Sequence, residues 1–287
     1  MSSLVRHFIP ALAVLAVAAV PAAAQTAPPA DPNLGNVSVS ASVDVLNTYM
    51  FRGIRQDDTK VIMWPAASLG FDAYSGDGAL KGVSLSLGTW NSLHTGAAGQ
   101  NGPSGKLWYE GDFFTTVGFD FGGMNLASTY TAYTSPNDTF STVKEIAFNV
   151  AVDDSGALGP AALSPYALVA FELGAKPGLY QADGGLNGGT YLELGVAPGW
   201  EGSKIGLSFP VKVGMSLSDY YELDGVDNRF GFFSVAGLAT VPLGSSSFGE
   251  WNVHGGLEFQ RLGTTTRAFN GGDQNKVIAL AGIGMSY

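Results

Sequence analysis

Nine ionisable residues stand where alternation along the chain turns them away from an apolar face: Asp44, Arg52, Glu110, Asp112, Glu172, Glu193, Lys212, His254 and Glu258. Carboxylates and bases facing one another across a watered interior can bias the passage of ions by charge. The same groups can instead pair with each other and stiffen the walls. The residues alone leave both readings open. Acids outnumber bases in the set, which leans toward cations.

Other chemistries find less support. Past residue 24 the chain has two histidines, His94 in an expected loop and His254 on an expected strand. Serines are abundant, but no G-x-S-x-G stretch occurs, so no nucleophile stands out. No catalytic residue is assigned and no enzymatic role is expected. An embedded lipid-modifying enzyme would have to use His254, which reads as an interior polar residue instead. The acidic stretch Asp219–Asp227, DYYELDGVD, lacks the spacing of an EF-hand loop and reads as a solvated outer loop. Neither a metal nor a cofactor is expected.

Charges placed in this way need strands to hold them. The last stretch, Val277–Tyr287, puts Val277, Ala279, Ala281, Ile283, Met285 and Tyr287 on one face, with Gly282, Gly284 and Ser286 between. That is the period of a strand with one face in an apolar medium. In a bilayer an unpaired strand edge is prohibitive, because no water satisfies its amide and carbonyl groups. The final strand must therefore pack in a soluble core or close a barrel against the first strand. The ending Gly282-x-x-Met285-x-Tyr287 resembles the C-terminal signal by which the assembly machinery of bacterial outer membranes recognises its barrels. Position 281 is Ala where a polar residue is usual.

The opposite end and the composition favour the barrel. Met1–Ala24 has a basic start at Arg6, a short apolar core and a small-residue ending, as a cleaved secretory leader does. Gln25–Gly35 is a Pro-rich periplasmic linker, and residues 36–287 form the expected barrel. The chain is 46% hydrophobic and 13% charged, with 40 Gly and no Cys; soluble globular chains carry about 25% charged residues. A soluble sandwich would show more charge outside. Net charge is −10, or −11 without Arg6, which argues against nucleic acid as a partner. The expected partners are outer-membrane lipid, the barrel-assembly machinery and small hydrophilic solutes.

Alternating segments separated by Gly, Asn, Asp and Ser clusters follow in order: Asn36–Phe51, Trp64–Tyr74, a third around Val83–Leu87, Tyr109–Phe121, Leu126–Tyr133, Val143–Val152, Tyr166–Leu173, Leu192–Val196, Ile205–Leu217, Phe230–Val241, Trp251–Phe259 and the last strand. The spacing predicts an all-β transmembrane antiparallel barrel of about twelve strands, an even number as bacterial single-chain barrels have. Longer connections after the odd-numbered strands place the loops outside and the termini in the periplasm. Tyr49, Trp90, Tyr133, Trp200 and Trp251 fall near expected strand ends, where an interfacial girdle belongs.

One short segment adds a family likeness. Asn47–Gln56, NTYMFRGIRQ, resembles the Tyr-x-Phe-Arg-Gly-Ile-x-Gln stretch of the TorF-like porin family of proteobacteria, through Tyr49, Phe51, Arg52, Gly53, Ile54 and Gln56. Asn47-Thr48 and Arg55 depart from the usual pattern. The resemblance implies a signal-bearing outer-membrane barrel with a porin role and names no solute. On the residues alone, Tyr49 and Phe51 are expected on the outer face of strand one. Arg52 is expected inside beside an acid, and Gly53 at a sharp turn. The functional expectation is passive diffusion of small hydrophilic solutes; the alternative is a non-conducting structural or adhesive barrel.

Overall fold

A computed structural model describes residues 35–100, 106–174 and 187–287. The expected leader Met1–Ala24 and all but the last residue of the linker lie outside those residues. Twelve strands follow in chain order. Strands one to four are Val37–Leu46, Ile62–Ser75, Gly82–His94 and Trp108–Asp120. Strands five to seven are Met124–Thr134, Val143–Val152 and Tyr166–Glu172. Strand eight is Thr190–Val196 continued by Gly199–Glu201; strand nine is Gly206–Ser208 and Val211–Ser218. Strands ten to twelve are Phe230–Ser246, Gly249–Leu262 and Asn275–Ser286.

Each strand pairs antiparallel with its neighbours in sequence, and strand twelve also pairs with strand one. The sheet is therefore a closed, transmembrane twelve-stranded barrel with no free edge. Reciprocal backbone bonds at the seam join Val39 and Tyr287, at 2.7 and 2.8 Å. The two interrupted strands are explained by Pro198 and Pro210, which have no N–H to give to the ladder. Their carbonyls still accept, from Phe209 N and Ala236 N respectively, each at 2.8 Å. The expected alternation across Ile205–Leu217 survives the break, with Gly206, Ser208, Gly214 and Ser216 buried inside.

Alternation decides which side each residue faces. Leu69, Leu87, Phe113, Phe148, Leu217 and Leu257, from six different strands, are all exposed on the outer surface. Apolar groups spread around a whole surface suit hydrocarbon, not water. The expected girdle needs correction. Trp200 and Trp251 are on the outside, but Tyr49, Trp90 and Tyr133 are buried in the interior. Parity explains two of these. Trp90 shares the face of Ser84, Ser86 and Gly88, and Tyr133 lies opposite Leu126, Tyr130 and Ala132.

Connections at the end carrying the termini are mostly short, including the tight turn at Gly122-Gly123, where Gly122 has φ +87°. Those at the far end are long. The first of them corrects the expected strand Asn36–Phe51. Strand one stops at Leu46, and the chain then turns into the barrel as an inner hairpin, Tyr49–Phe51 paired with Ile54–Asp57. Tyr49 and Phe51 are consequently interior residues and not interfacial ones.

The seam is directly testable because the chain has no cysteine of its own. Ser40 and Ser286 are partners across it, one step from the hydrogen-bonded Val39–Tyr287 pair and thus in the closer, non-hydrogen-bonded spacing. Ser40→Cys with Ser286→Cys should form a disulfide on oxidation and raise resistance to unfolding on heating in detergent, read by gel mobility. Failure of the folded chain to cross-link would contradict this closure.

Candidate functional site

The inner hairpin turns on Arg52 and Gly53, both with positive φ, +46° and +80°. A two-residue loop of that kind is a type I′ turn, which matches the twist of its strands. Gly suits the second position, and a Cβ there would press on the Phe232 ring at 3.0 Å. Arg52 in the left-handed region costs about 1 kcal/mol. What offsets it is a buried ion pair. Arg52 Nη1 and Nη2 donate to the two oxygens of Glu145, at 2.6 and 2.8 Å, and Nη1 also donates to Tyr220 Oη at 2.9 Å. The guanidinium carbon lies 4.1 Å from the Tyr191 ring centroid.

The rest of the hairpin is tied to the wall and to two other loops. Tyr49 donates to Glu110 at 2.9 Å, and its ring packs edge-on to Trp64 with centroids 5.2 Å apart. Tyr109 donates to Gln56 at 2.8 Å. Tyr221 donates to the Arg52 carbonyl at 2.8 Å, and Asn270 Nδ2 to the Gly53 carbonyl at 2.8 Å. Asn270 Oδ1 in turn accepts from Arg55 N at 2.9 Å. The stretch Asp219–Asp227 is thus not a wholly solvated loop, since Tyr220 and Tyr221 are fully buried. Two adjacent tyrosines in an acidic loop were the available signal for that.

All nine residues singled out from the sequence lie on the interior side, eight on strands and Arg52 on the hairpin. Glu193 accepts from Tyr166 and Tyr191, each at 2.7 Å, with Lys212 Nζ at 3.9 Å. Glu258 accepts from Ser234 at 2.5 Å and from Gln260 at 2.9 Å. Asp44 meets His254 Nε2 at 2.6 Å. Glu172 accepts from Gly189 N at 2.8 Å. Asp112 is fully buried, and neither of its oxygens has a hydrogen-bond partner. Glu145, the partner of Arg52, was missed, although parity with Val143 and Ala147 puts it inside.

Ser92, His94 and Asp57 form a buried relay beside the hairpin. His94, expected in a loop, is the last residue of strand three and is fully buried. Its Nδ1 lies 3.0 Å from Asp57 Oδ2 and its Nε2 lies 2.6 Å from Ser92 Oγ. Asp57 Oδ1 accepts from Thr59 N and Oγ1, and Trp64 Nε1 donates to Ser92 Oγ at 3.0 Å. With the proton on Nδ1, every group in the chain is satisfied. Such an order of groups activates serine nucleophiles elsewhere, but Ser92 is sealed from solvent. Here the relay fastens the base of the hairpin to the wall.

No protein-family model matches the sequence, and no curated protein matches it. The likeness of Asn47–Gln56 to the TorF-like porins therefore stays confined to that segment. Among solved structures the chain is similar to an outer membrane channel from Pseudomonas putida F1, at 8% identity and TM-score 0.46, covering 92% of this chain and 100% of that one. It is also similar to the translocator domain of the autotransporter NalP from Neisseria meningitidis, at 13% identity and TM-score 0.44, covering 88% and 89%. A third is the outer membrane phospholipase of Salmonella typhi, at 10% identity and TM-score 0.43, covering 86% and 90%. A channel, a translocator and a phospholipase are different activities, and likeness this distant carries none of them across.

Removing one partner of a buried ion pair strands the other charge, at about 3–5 kcal/mol. Glu145→Gln should lose about that much in urea unfolding from micelles, whereas Arg52→Met with Glu145→Leu should lose far less. No measurable loss in Glu145→Gln would show that the pair is not what holds the hairpin.

The far rim gives a pH test. Lys276 Nζ lies 2.7 Å from Asp273 and 3.1 Å from Asp58, and Arg55 Nη1 lies 2.8 Å from Asp58. The hydrogen bond from Lys276 holds Asp273 below the usual carboxylate range. Partial burial pushes Asp58 up, but the hydrogen bonds from Lys276 and Arg55 outweigh it and hold it low. Folded values below unfolded ones mean stability present above about pH 4 and lost as pH falls through the depressed folded values. The gap in melting temperature between wild type and Lys276→Met should thus be open at pH 7 and close in strong acid.

Proposed function

We propose that this protein is a porin-type outer-membrane channel for small hydrophilic solutes, closed in the conformation described by its folded-in first connection. One observation carries the reading. The block in the interior is made by a loop hairpin held through polar contacts, and not by the wall alone. Toward the termini the inner face is lined by small polar residues such as Ser40, Ser42, Ser68, Ser84 and Ser86, only half-buried although they point inward. That contrast supports a watered vestibule below a movable constriction. The short TorF-like segment, which forms the hairpin itself, points the same way.

On this reading the leader exports the chain and the termini face the periplasm. The last strand, ending at Tyr287, is what the assembly machinery reads. Asp44, Arg52, Glu110, Asp112, Glu172, Glu193, Lys212, His254 and Glu258 line the solute path. The protein is not an enzyme: the Ser92–His94–Asp57 relay serves structure, and His254 is a wall residue paired with Asp44. A second reading, a non-conducting barrel acting through its outer loops, draws on the fully buried Tyr49, Tyr133, Tyr191, Tyr220 and Tyr221 that fill the loop-end half.

Planar-bilayer conductance separates the two. Wild type should conduct in small or infrequent steps. Replacing Thr48–Asp57 by a short Gly-Ser linker should raise the conductance several-fold. A heat-modifiable, correctly folded hairpin-less barrel that stays electrically silent would sink the channel reading.

A further inference from the structure

Resting on the channel reading, we propose that the wall of strands four to seven carries a cation-binding subsite. Glu110, Asp112, Glu145 and Glu172 form it, and the Arg52 guanidinium fills it as a tethered ligand while the hairpin is in place. The solute class follows: once the hairpin moves, the lumen takes small organic cations of the guanidinium or amine kind in preference to anions.

Register brings these acids together. Glu145 and Glu172 are direct cross-strand partners on strands six and seven, an arrangement of like charges that destabilises a sheet unless a cation sits on it. Arg52 supplies a cation on the Glu145 side, with both carboxylate oxygens of Glu145 engaged. Asp112 pairs across to Tyr133, and Tyr133 to Val143. Asp112 thus lies one inward-facing residue nearer the loop end than Glu145, and Glu110 lies one further. The carboxylates climb the wall from the seat of Arg52 toward the mouth.

Two orphaned groups mark the site as incomplete. Asp112 is fully buried with both oxygens unpartnered, and Arg52 Nε is buried with no acceptor. Native interiors seldom leave such groups unmatched without a functional reason. The nearby cation Lys212 is turned toward Glu193, whereas Arg52 is held at Glu145. Tyrosine and phenylalanine rings around the guanidinium, with centroids at 4.1 Å for Tyr191 and 5.0 Å for Phe51, suit a flat or alkylated cation as well.

The test uses the refolded mature chain and methylguanidinium as the probe. Arg52→Ala should bind it saturably by titration calorimetry in micelles, and wild type should not. Arg52→Ala with Glu145→Gln, and Arg52→Ala with Asp112→Asn, should each bind at least tenfold more weakly. Arg52→Gln stands in if Arg52→Ala lacks heat-modifiable mobility. In bilayers, Arg52→Ala should show a cation-selective reversal potential in a salt gradient and be blocked by the probe. No saturable binding, or binding indifferent to Glu145 and Asp112, overturns the subsite whatever the conductance. Carboxylate-dependent binding in chains that never conduct upholds the subsite and overturns the channel reading alone.

Discussion

A strand edge in hydrocarbon has no water to satisfy it, and the whole chain is arranged around that constraint. The seam between Val37–Leu46 and Asn275–Ser286 removes the last edge, with Val39 and Tyr287 exchanging backbone bonds. Closure forces every strand to show one face outward and the other inward. It thereby fixes where charge can go. Acids that would be costly against lipid are admissible inside, and the interior becomes the one place where polar chemistry can collect. Pro198 and Pro210 are tolerated for the same reason, since their carbonyls still find donors across the sheet.

Inside, the energetic centre is the ion pair of Arg52 with Glu145. A charged pair removed from water is favourable only when its geometry is good and its remaining hydrogen bonds are met. Here the two-point contact, the Tyr220 hydroxyl and the Tyr191 ring meet most of that demand. The strained turn at Arg52 is held by what lies beyond it, because Tyr221 and Asn270 bind the carbonyls of Arg52 and Gly53. Two loops distant in sequence converge on Arg52, Gly53 and Arg55 of the hairpin. A hairpin fastened by polar contacts differs from a hydrophobic core in one respect: salt, ligands and competing ions can act on it.

Much of this was legible from alternation. Val277–Tyr287 announced a closing strand, and the outward faces of Phe113–Phe119 and Ile205–Leu217 follow from period two alone. Carried through consistently, the same parity would have placed Trp90, Tyr133 and Glu145 inside. Proximity to strand ends was a weaker guide than parity, and it misplaced the two aromatics. The relay of Ser92, His94 and Asp57 was half legible, since Ser92 and His94 share an inward face, while Asp57 comes from a different element.

The sequence by itself determined the barrel, its strand number and the inward placement of the ionisable residues, because those depend on a local repeat of two residues. It could not determine where the chain goes after Leu46. Beyond Asn47 no sheet neighbour fixes the face of a residue, so the alternation that carried Val43 and Val45 outward says nothing about Tyr49, Phe51 or Arg52. Their burial depends on Glu145, Tyr220 and Asn270, all far along the chain. Only the closed barrel brings those groups around one point, and that enclosure decided that a stretch fit for a strand end became the hairpin filling the interior.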